Sequence, residues 1–156
     1  MAPAIGQSAP DFSLFDSEKK EVTLSSLKGQ PVLLLFFPLA FTSVCTKELC
    51  AVRDNINMYN NLNVKVFGIS VDALQTLAKF KEDQKLNFTL LSDFNKEASR
   101  AYDSIYEMFG FNMKGVSKRS AFVIDKEGFV QYAEILENAG ELPNFTAIKD
   151  ILNRLN

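Results

Sequence analysis

Between a Gly29-Gln30-Pro31 turn and Pro38, residues 32–37 form a continuous apolar run rich in Leu and Phe. A strand buried on both faces reads this way, because neither face is left polar. The period then changes. Over residues 43–62, Val44, Leu49, Val52, Ile56, Tyr59 and Leu62 recur at helical spacing among charged and amide residues, which predicts one amphipathic helix. Residues 64–70 read as a second buried strand, 73–84 as a helix, 88–91 as a short strand and 97–106 as a further helix. Two more strands, 120–124 and 129–135, flank Asp125-Lys126-Glu127-Gly128, a polar loop whose glycine suits a positive φ, so a hairpin is predicted. Residues 144–155 close the chain as a helix with Asn144 as its N-cap.

The order is a parallel βαβ unit, then an antiparallel hairpin and a last helix. With right-handed crossovers this is an α/β fold of thioredoxin type, a central mixed sheet flanked by helices. A length of 156 residues fits one domain over 1–156. Apolar residues at 47% and charged residues at 23% exclude a disordered or fibrous chain.

A net charge of −2 leaves no basic surplus for nucleic acid or an anionic membrane. The apolar stretch 31–41 falls well short of the roughly 20 residues of a membrane-spanning helix. The first seven residues lack the charged and apolar regions of a signal peptide, so a cytoplasmic location is expected. The absence of histidine excludes Ser-His-Asp and Cys-His catalysis and histidine-ligated metal sites. With only Cys45 and Cys50, a four-thiolate zinc site or an iron–sulfur cluster within one chain is excluded as well.

The remaining chemistry gathers where the first long strand gives way to the first long helix, at the carboxyl end of a strand, where open α/β folds bind their ligands. Thr42 is a good N-cap, which would place Cys45 at the third helical position. There a thiol faces the free N–H groups and positive dipole end of the helix, which favour its anion. Cys45 is thus a candidate nucleophile, although free cysteines more often serve as small buried hydrophobes.

The spacing Pro38-x3-Thr42-x2-Cys45 resembles the active-site motif of the peroxiredoxins, thiol peroxidases with a thioredoxin-like fold. The resemblance extends to residues 6–12 (Gly-Gln-Ser-Ala-Pro-Asp-Phe), to Leu24-x2-Leu27-Lys28-Gly29, and to Arg119 ahead of Phe122-Val123-Ile124-Asp125. Residues 36–42 look most like the alkyl hydroperoxide reductase E group. Cys50, five positions after Cys45, is placed as in the bacterioferritin-comigratory protein group, whose usual Pro-Gly before the cysteine is here Ser43-Val44.

The resemblance implies that Cys45 attacks the terminal peroxide oxygen and becomes a sulfenic acid. It implies that Thr42 accepts a hydrogen bond from the peroxide, that Arg119 steadies the thiolate and the charge on the leaving oxygen, and that Pro38 shapes and shields the pocket. Cys50 would be the resolving cysteine. No cofactor or metal is implied; the partners are a hydroperoxide substrate, a thioredoxin- or glutaredoxin-like reductant and, in many members, a second copy in a homodimer.

Two alternatives stay open. One is a thioredoxin-like disulfide oxidoreductase, although the pair is spaced Cys-x4-Cys rather than Cys-x-x-Cys. The other is a one-cysteine peroxidase with Cys50 a bystander. Glu48 and Arg53, five residues apart on one helix, resemble positions of the family's Glu and Arg, but read equally as a solvated face or a structural ion pair. Tyr106, Met108, Phe109, Phe111 and Met113 could line the pocket, form a dimer contact or simply pack in the core, and Asp72 and Asp93 are expected to be helix caps or loop acids.

Overall fold

The computed structural model describes residues 1–155. Its strands are β1 (Ser13–Asp16), β2 (Glu21–Thr23), β3 (Val32–Phe36), β4 (Lys65–Ser70), β5 (Thr89–Ser92), β6 (Ile105–Tyr106), β7 (Val116–Ser117), β8 (Ser120–Ile124) and β9 (Val130–Ile135). The α-helices are α1 (Ser43–Asp54), α2 (Ile56–Asn61), α3 (Leu74–Gln84), α4 (Glu97–Ala101) and α5 (Phe145–Arg154). Seven strands form one sheet in the order β2-β1-β5-β4-β3-β8-β9, and β6 pairs with β7 apart from it. β4 runs parallel to β3 and β5, whereas β8 is antiparallel to β3 and to β9. The predicted mixed sheet and hairpin are present, with Gly128 closing the hairpin loop at φ 95°.

β3 is buried at every position because both of its faces are covered. Leu33 and Leu35 pack with Leu49 and Val52 of α1, Leu77 and Phe80 of α3, and Ile148 and Leu152 of α5. Val32, Leu34 and Phe36 pack on the other side with Phe12, Leu14, Leu24 and Tyr102. α5 is capped as expected, the Asn144 side chain accepting from the Ala147 N–H. No helix of the described residues is long and apolar enough to cross a membrane.

Two sequence expectations need correction. The helix predicted over 43–62 breaks at Asn55, whose side-chain amide donates to the Ala51 carbonyl, four residues back, at 2.9 Å. The helix predicted over 97–106 stops at Ala101, because the chain turns through Asp103 at φ 51° and residues 105–106 pair as a strand. Strands β1 and β2, joined to the sheet through β5, carry too short an alternation to show in the sequence.

Gly68 lies where β4 passes under α1. A Cβ there would sit 2.8 Å from Leu90 Cδ2 and 3.3 Å from Phe37 Cε1, both on side chains with no exposed surface to move into. Gly68→Ala is expected to destabilise the fold by about 1–3 kcal/mol through overpacking. Urea unfolding checks this; a midpoint equal to that of the wild type would show that the core yields here.

Candidate active site

β3 delivers the chain to the site. Its pairing with β4 extends one residue further through the Phe37 N–H, which donates to the Ile69 carbonyl at 2.9 Å, and buried Pro38 then ends the ladder. The following loop is held at three points. The Ala40 N–H donates to Asp72 Oδ2 at 2.8 Å, the Thr42 hydroxyl donates to the Leu39 carbonyl at 2.7 Å, and the Phe41 ring packs edge-on against Phe80 at 5.1 Å. Phe41 has a φ of 66°, a left-handed conformation that costs a residue with a side chain on the order of 1 kcal/mol or more and persists only where its surroundings impose it.

α1 starts directly after this loop. Thr42 occupies the N-cap position as expected, but its side chain makes no capping bond. Its one hydroxyl proton goes to Leu39 instead, which leaves oxygen lone pairs free to accept. Cys45 stands in the first turn of α1 with 1% exposure.

Strand direction brings Arg119 to this point. Because β8 is antiparallel to β3, its first residue, Ser120, lies opposite Phe36, the last residue of β3. Arg119, one position earlier, therefore lies at the end of the sheet where α1 begins. Its guanidinium, though charged, is almost wholly buried, and each of its three nitrogens makes a hydrogen bond. Nη2 donates to Cys45 Sγ at 3.3 Å, Nη1 to Glu48 Oε1 at 2.6 Å and Nε to the Ala139 carbonyl at 2.9 Å.

Glu48, fully buried, is the member of this set whose place the sequence reading left open. It forms no pair with Arg53, which bonds Asp54 and the Gln84 carbonyl away from the site. A signal for it existed: Cys45, Glu48, Leu49 and Val52 are the buried positions of α1, spaced i, i+3, i+4 and i+7, so a carboxyl on that stripe requires a buried cation. Burial pushes the Glu48 carboxyl up to about 7, with the Arg119 charge and hydrogen bond pulling against it and the charge of Glu134 adding to it. Burial opposes the charge of Arg119, yet Glu48 and Cys45 beside it hold its proton more tightly than in an ordinary guanidinium.

The other candidates divide. Arg119 bonds Cys45 in the first turn of α1, Thr42 holds the N-cap position just before that turn, and Pro38 lies in the loop that leads into the helix. Cys50 lies apart, half-buried, its Sγ donating to Gln84 Oε1 at 3.5 Å. Tyr106 is buried near Arg119, its hydroxyl bonding the Leu136 carbonyl, while Leu136 N–H donates to the Arg119 carbonyl. Met108, Phe111 and Met113 are exposed and so are not core residues. Asp93 acts as expected, accepting the N–H groups of Ala98 and Ser99 at the start of α4, whereas Asp72 caps no helix.

Residues 5–133 match the family model described as the AhpC/TSA family. A putative peroxiredoxin of Pyropia yezoensis is 40% identical over 141 residues, covering 84% of this chain and 68% of that protein. A chloroplastic peroxiredoxin Q of Oryza sativa subsp. japonica is 39% identical over 127 residues, covering 81% of this chain; the match spans only 57% of the rice protein's length. Among solved structures, peroxidoxin BcpB from Mycobacterium tuberculosis superposes with a TM-score of 0.85 at 29% identity, over 99% of both chains.

The raised Glu48 carboxyl makes a prediction for stability. In the unfolded chain the group titrates near its ordinary value of 4.5, and in the folded protein near 7. Its contribution is therefore fully present below 4.5 and lost as pH rises through 7. Glu48→Gln cannot titrate, so the stability of the wild type relative to this variant should fall as pH rises across that window. Denaturant unfolding at several pH values checks the sign; a difference that grows with pH would mean that Arg119 outweighs burial.

Proposed function

Since the chain belongs to the AhpC/TSA family and is a peroxiredoxin, a thiol-dependent peroxidase, we propose that Cys45 is its peroxidatic cysteine. The observation that carries this assignment is the 3.3 Å bond from Arg119 to Cys45 Sγ inside a buried cluster. The guanidinium favours the thiolate, which attacks the terminal oxygen of a hydroperoxide. The S–O bond forms as the O–O bond breaks, and the leaving oxide takes up a proton as water or an alcohol. The Thr42 hydroxyl, its proton committed to Leu39, accepts from the peroxide O–H, and Arg119 stabilises charge as it builds on the leaving oxygen. Pro38 walls the pocket without offering a competing N–H.

Cys50 then resolves the sulfenic acid as an intramolecular disulfide, releasing water. In an α-helix, residues five apart have Cα atoms roughly 8.6 Å apart, beyond the roughly 7 Å a disulfide spans, so α1 must open locally for the bond to form. A dithiol protein of thioredoxin or glutaredoxin type returns both thiols. A second reading, a one-cysteine cycle with Cys50 a bystander, draws support from the Cys50 contact with Gln84. The exposed Phe111, Met108, Met113 and Phe94 support a homodimer.

Cys45→Ser should abolish peroxide consumption with the fold retained, measured by peroxidase assay and circular dichroism. Activity above a trace would move the nucleophile to Cys50. Arg119→Met should lower the rate of peroxide reaction by roughly 10–1000-fold in stopped-flow kinetics; a rate equal to the wild type would place Arg119 outside the mechanism. One equivalent of peroxide should remove two hydrogens in mass and both free thiols from the wild type, and Cys50→Ser should instead stop at a sulfenic acid. A stable sulfenic acid in the wild type, with Cys50 still titratable, would establish the one-cysteine cycle.

A further inference from the structure

The loop from Pro38 to Thr42 carries the group proposed to receive the peroxide, yet most of its backbone lies outside regular structure. Within it Phe41 holds a left-handed conformation that its own side chain disfavours. Such a loop keeps one shape only if something outside it imposes that shape. The Phe41 ring on Phe80 is one restraint. The other is polar: the Ala40 N–H, on a residue only 8% exposed, has Asp72 Oδ2 as its partner at 2.8 Å. A buried N–H has few substitutes for such a partner.

Asp72 is built to hold that N–H. The Ser70 hydroxyl donates to the same Oδ2 at 2.6 Å, and the Asp72 N–H returns to Ser70 Oγ at 3.2 Å. The Ser92 hydroxyl donates to the Asp72 carbonyl at 2.6 Å. Ser70 and Ser92 are the last residues of β4 and β5 and lie opposite each other in register. The carboxyl is thereby fixed to the carboxyl-terminal edge of the sheet, on a scaffold formed without the catalytic loop. α3 does not use it, since Ala73 occupies the N-cap position there with no side-chain bond.

We infer that Asp72 is a positioning residue of the peroxidase reaction, whose carboxyl holds the Ala40 N–H and so fixes the loop that carries Thr42 into the start of α1. The inference rests on the roles of Cys45 and Thr42 proposed above. It separates two properties that a merely structural residue would move together. Reaction with peroxide needs Thr42 in place, whereas reaction with an alkylating agent needs only the thiolate, which the Arg119 cluster supports from the other side.

Asp72→Ala is expected to slow oxidation of Cys45 by hydrogen peroxide about 10–100-fold, the scale of losing orientation at a reacting centre, while the rate of Cys45 alkylation by iodoacetamide stays within about 3-fold. Both rates are measured in a Cys50→Ser background by quenched flow and mass spectrometry. Asp72→Asn, which keeps an oxygen acceptor, should recover most of the loss. In a Thr42→Val background, Asp72→Ala should cost no more than about 2-fold further, because the group it places has gone. Oxidation at the wild-type rate in Asp72→Ala, a parallel fall in alkylation, or a loss that multiplies with that of Thr42→Val would each overturn the inference. Should Asp72→Ala fail to fold, Asp72→Glu takes its place: the charge is kept, the carboxyl moves by one methylene, and the same selective loss is expected. Failure of the underlying reading shows differently, as peroxide consumption by Cys45→Ser.

Discussion

The structure turns on one buried cation. A guanidinium taken out of water must have every donor answered, and a lone buried charge left by removing its partner typically costs about 3–5 kcal/mol. Arg119 is answered from three directions: Glu48 and Cys45 on α1, and the Ala139 carbonyl in the segment between β9 and α5. Each bond locks an element. The first two set the rotation of α1 about its axis, because Cys45 and Glu48 are one turn apart on the same face. The third ties down the backbone beyond β9. Pairing with Glu48 is what makes a buried guanidinium tolerable beside Cys45.

Once α1 is set this way, the remaining groups have little freedom. Leu49 and Val52 follow Glu48 into the core between β3 and α5, and Cys50 is turned toward the end of α3. The loop entering the helix has only residues 37–42 to connect a fixed strand end to a fixed helix start. It does so through the left-handed Phe41, with Asp72 holding its backbone from the sheet. Two rigid supports therefore converge on the thiol. The Arg119 cluster bonds its sulfur, and the sheet edge, through Asp72 and Ala40, fixes the loop beside it.

Much of this was legible in the sequence, and the exceptions share a cause. The apolar run of β3, the period of α1, the Gly128 turn and the Asn144 cap are local signals, and each was read from neighbouring residues. Pro38, Thr42, Cys45 and Arg119 could be read because their identities and spacing resemble a known motif. The misses depend on distant partners or on single side chains overriding a period. Asn55 ends a helix whose apolar stripe continues past it, and Asp103 turns a chain that looked helical. β1 and β2 exist because β5 offers an edge to pair with. The sequence leaves Glu48 open between a solvated or structural ion pair and a direct role, although its place on the stripe with Cys45 and Leu49 already put it inside. Asp72, expected to be a helix cap or a loop acid, is the latter, and only the fold shows that the N–H it serves is that of Ala40.

The position of Glu48 also links the two halves of the proposed cycle. Lowering a thiol's pKa from about 8.5 to about 6 multiplies its thiolate near neutral pH roughly 30-fold, yet nucleophilicity falls by about 10-fold or more, so donors and orientation must supply most of the acceleration. That places a high value on an intact α1. The disulfide, in contrast, requires α1 to open between residues 45 and 50, and Glu48 lies inside that interval. Any unwinding that brings Cys50 to Cys45 therefore pulls Glu48 off Arg119 and exposes a charge the closed form had compensated. Opening would leave the buried Arg119 guanidinium without its carboxyl partner, and that opposes the unwinding that the proposed resolution step needs. In the proposed cycle the S–S bond offsets that loss, and the bond from Arg119 to Cys45 re-forms only once the disulfide is reduced.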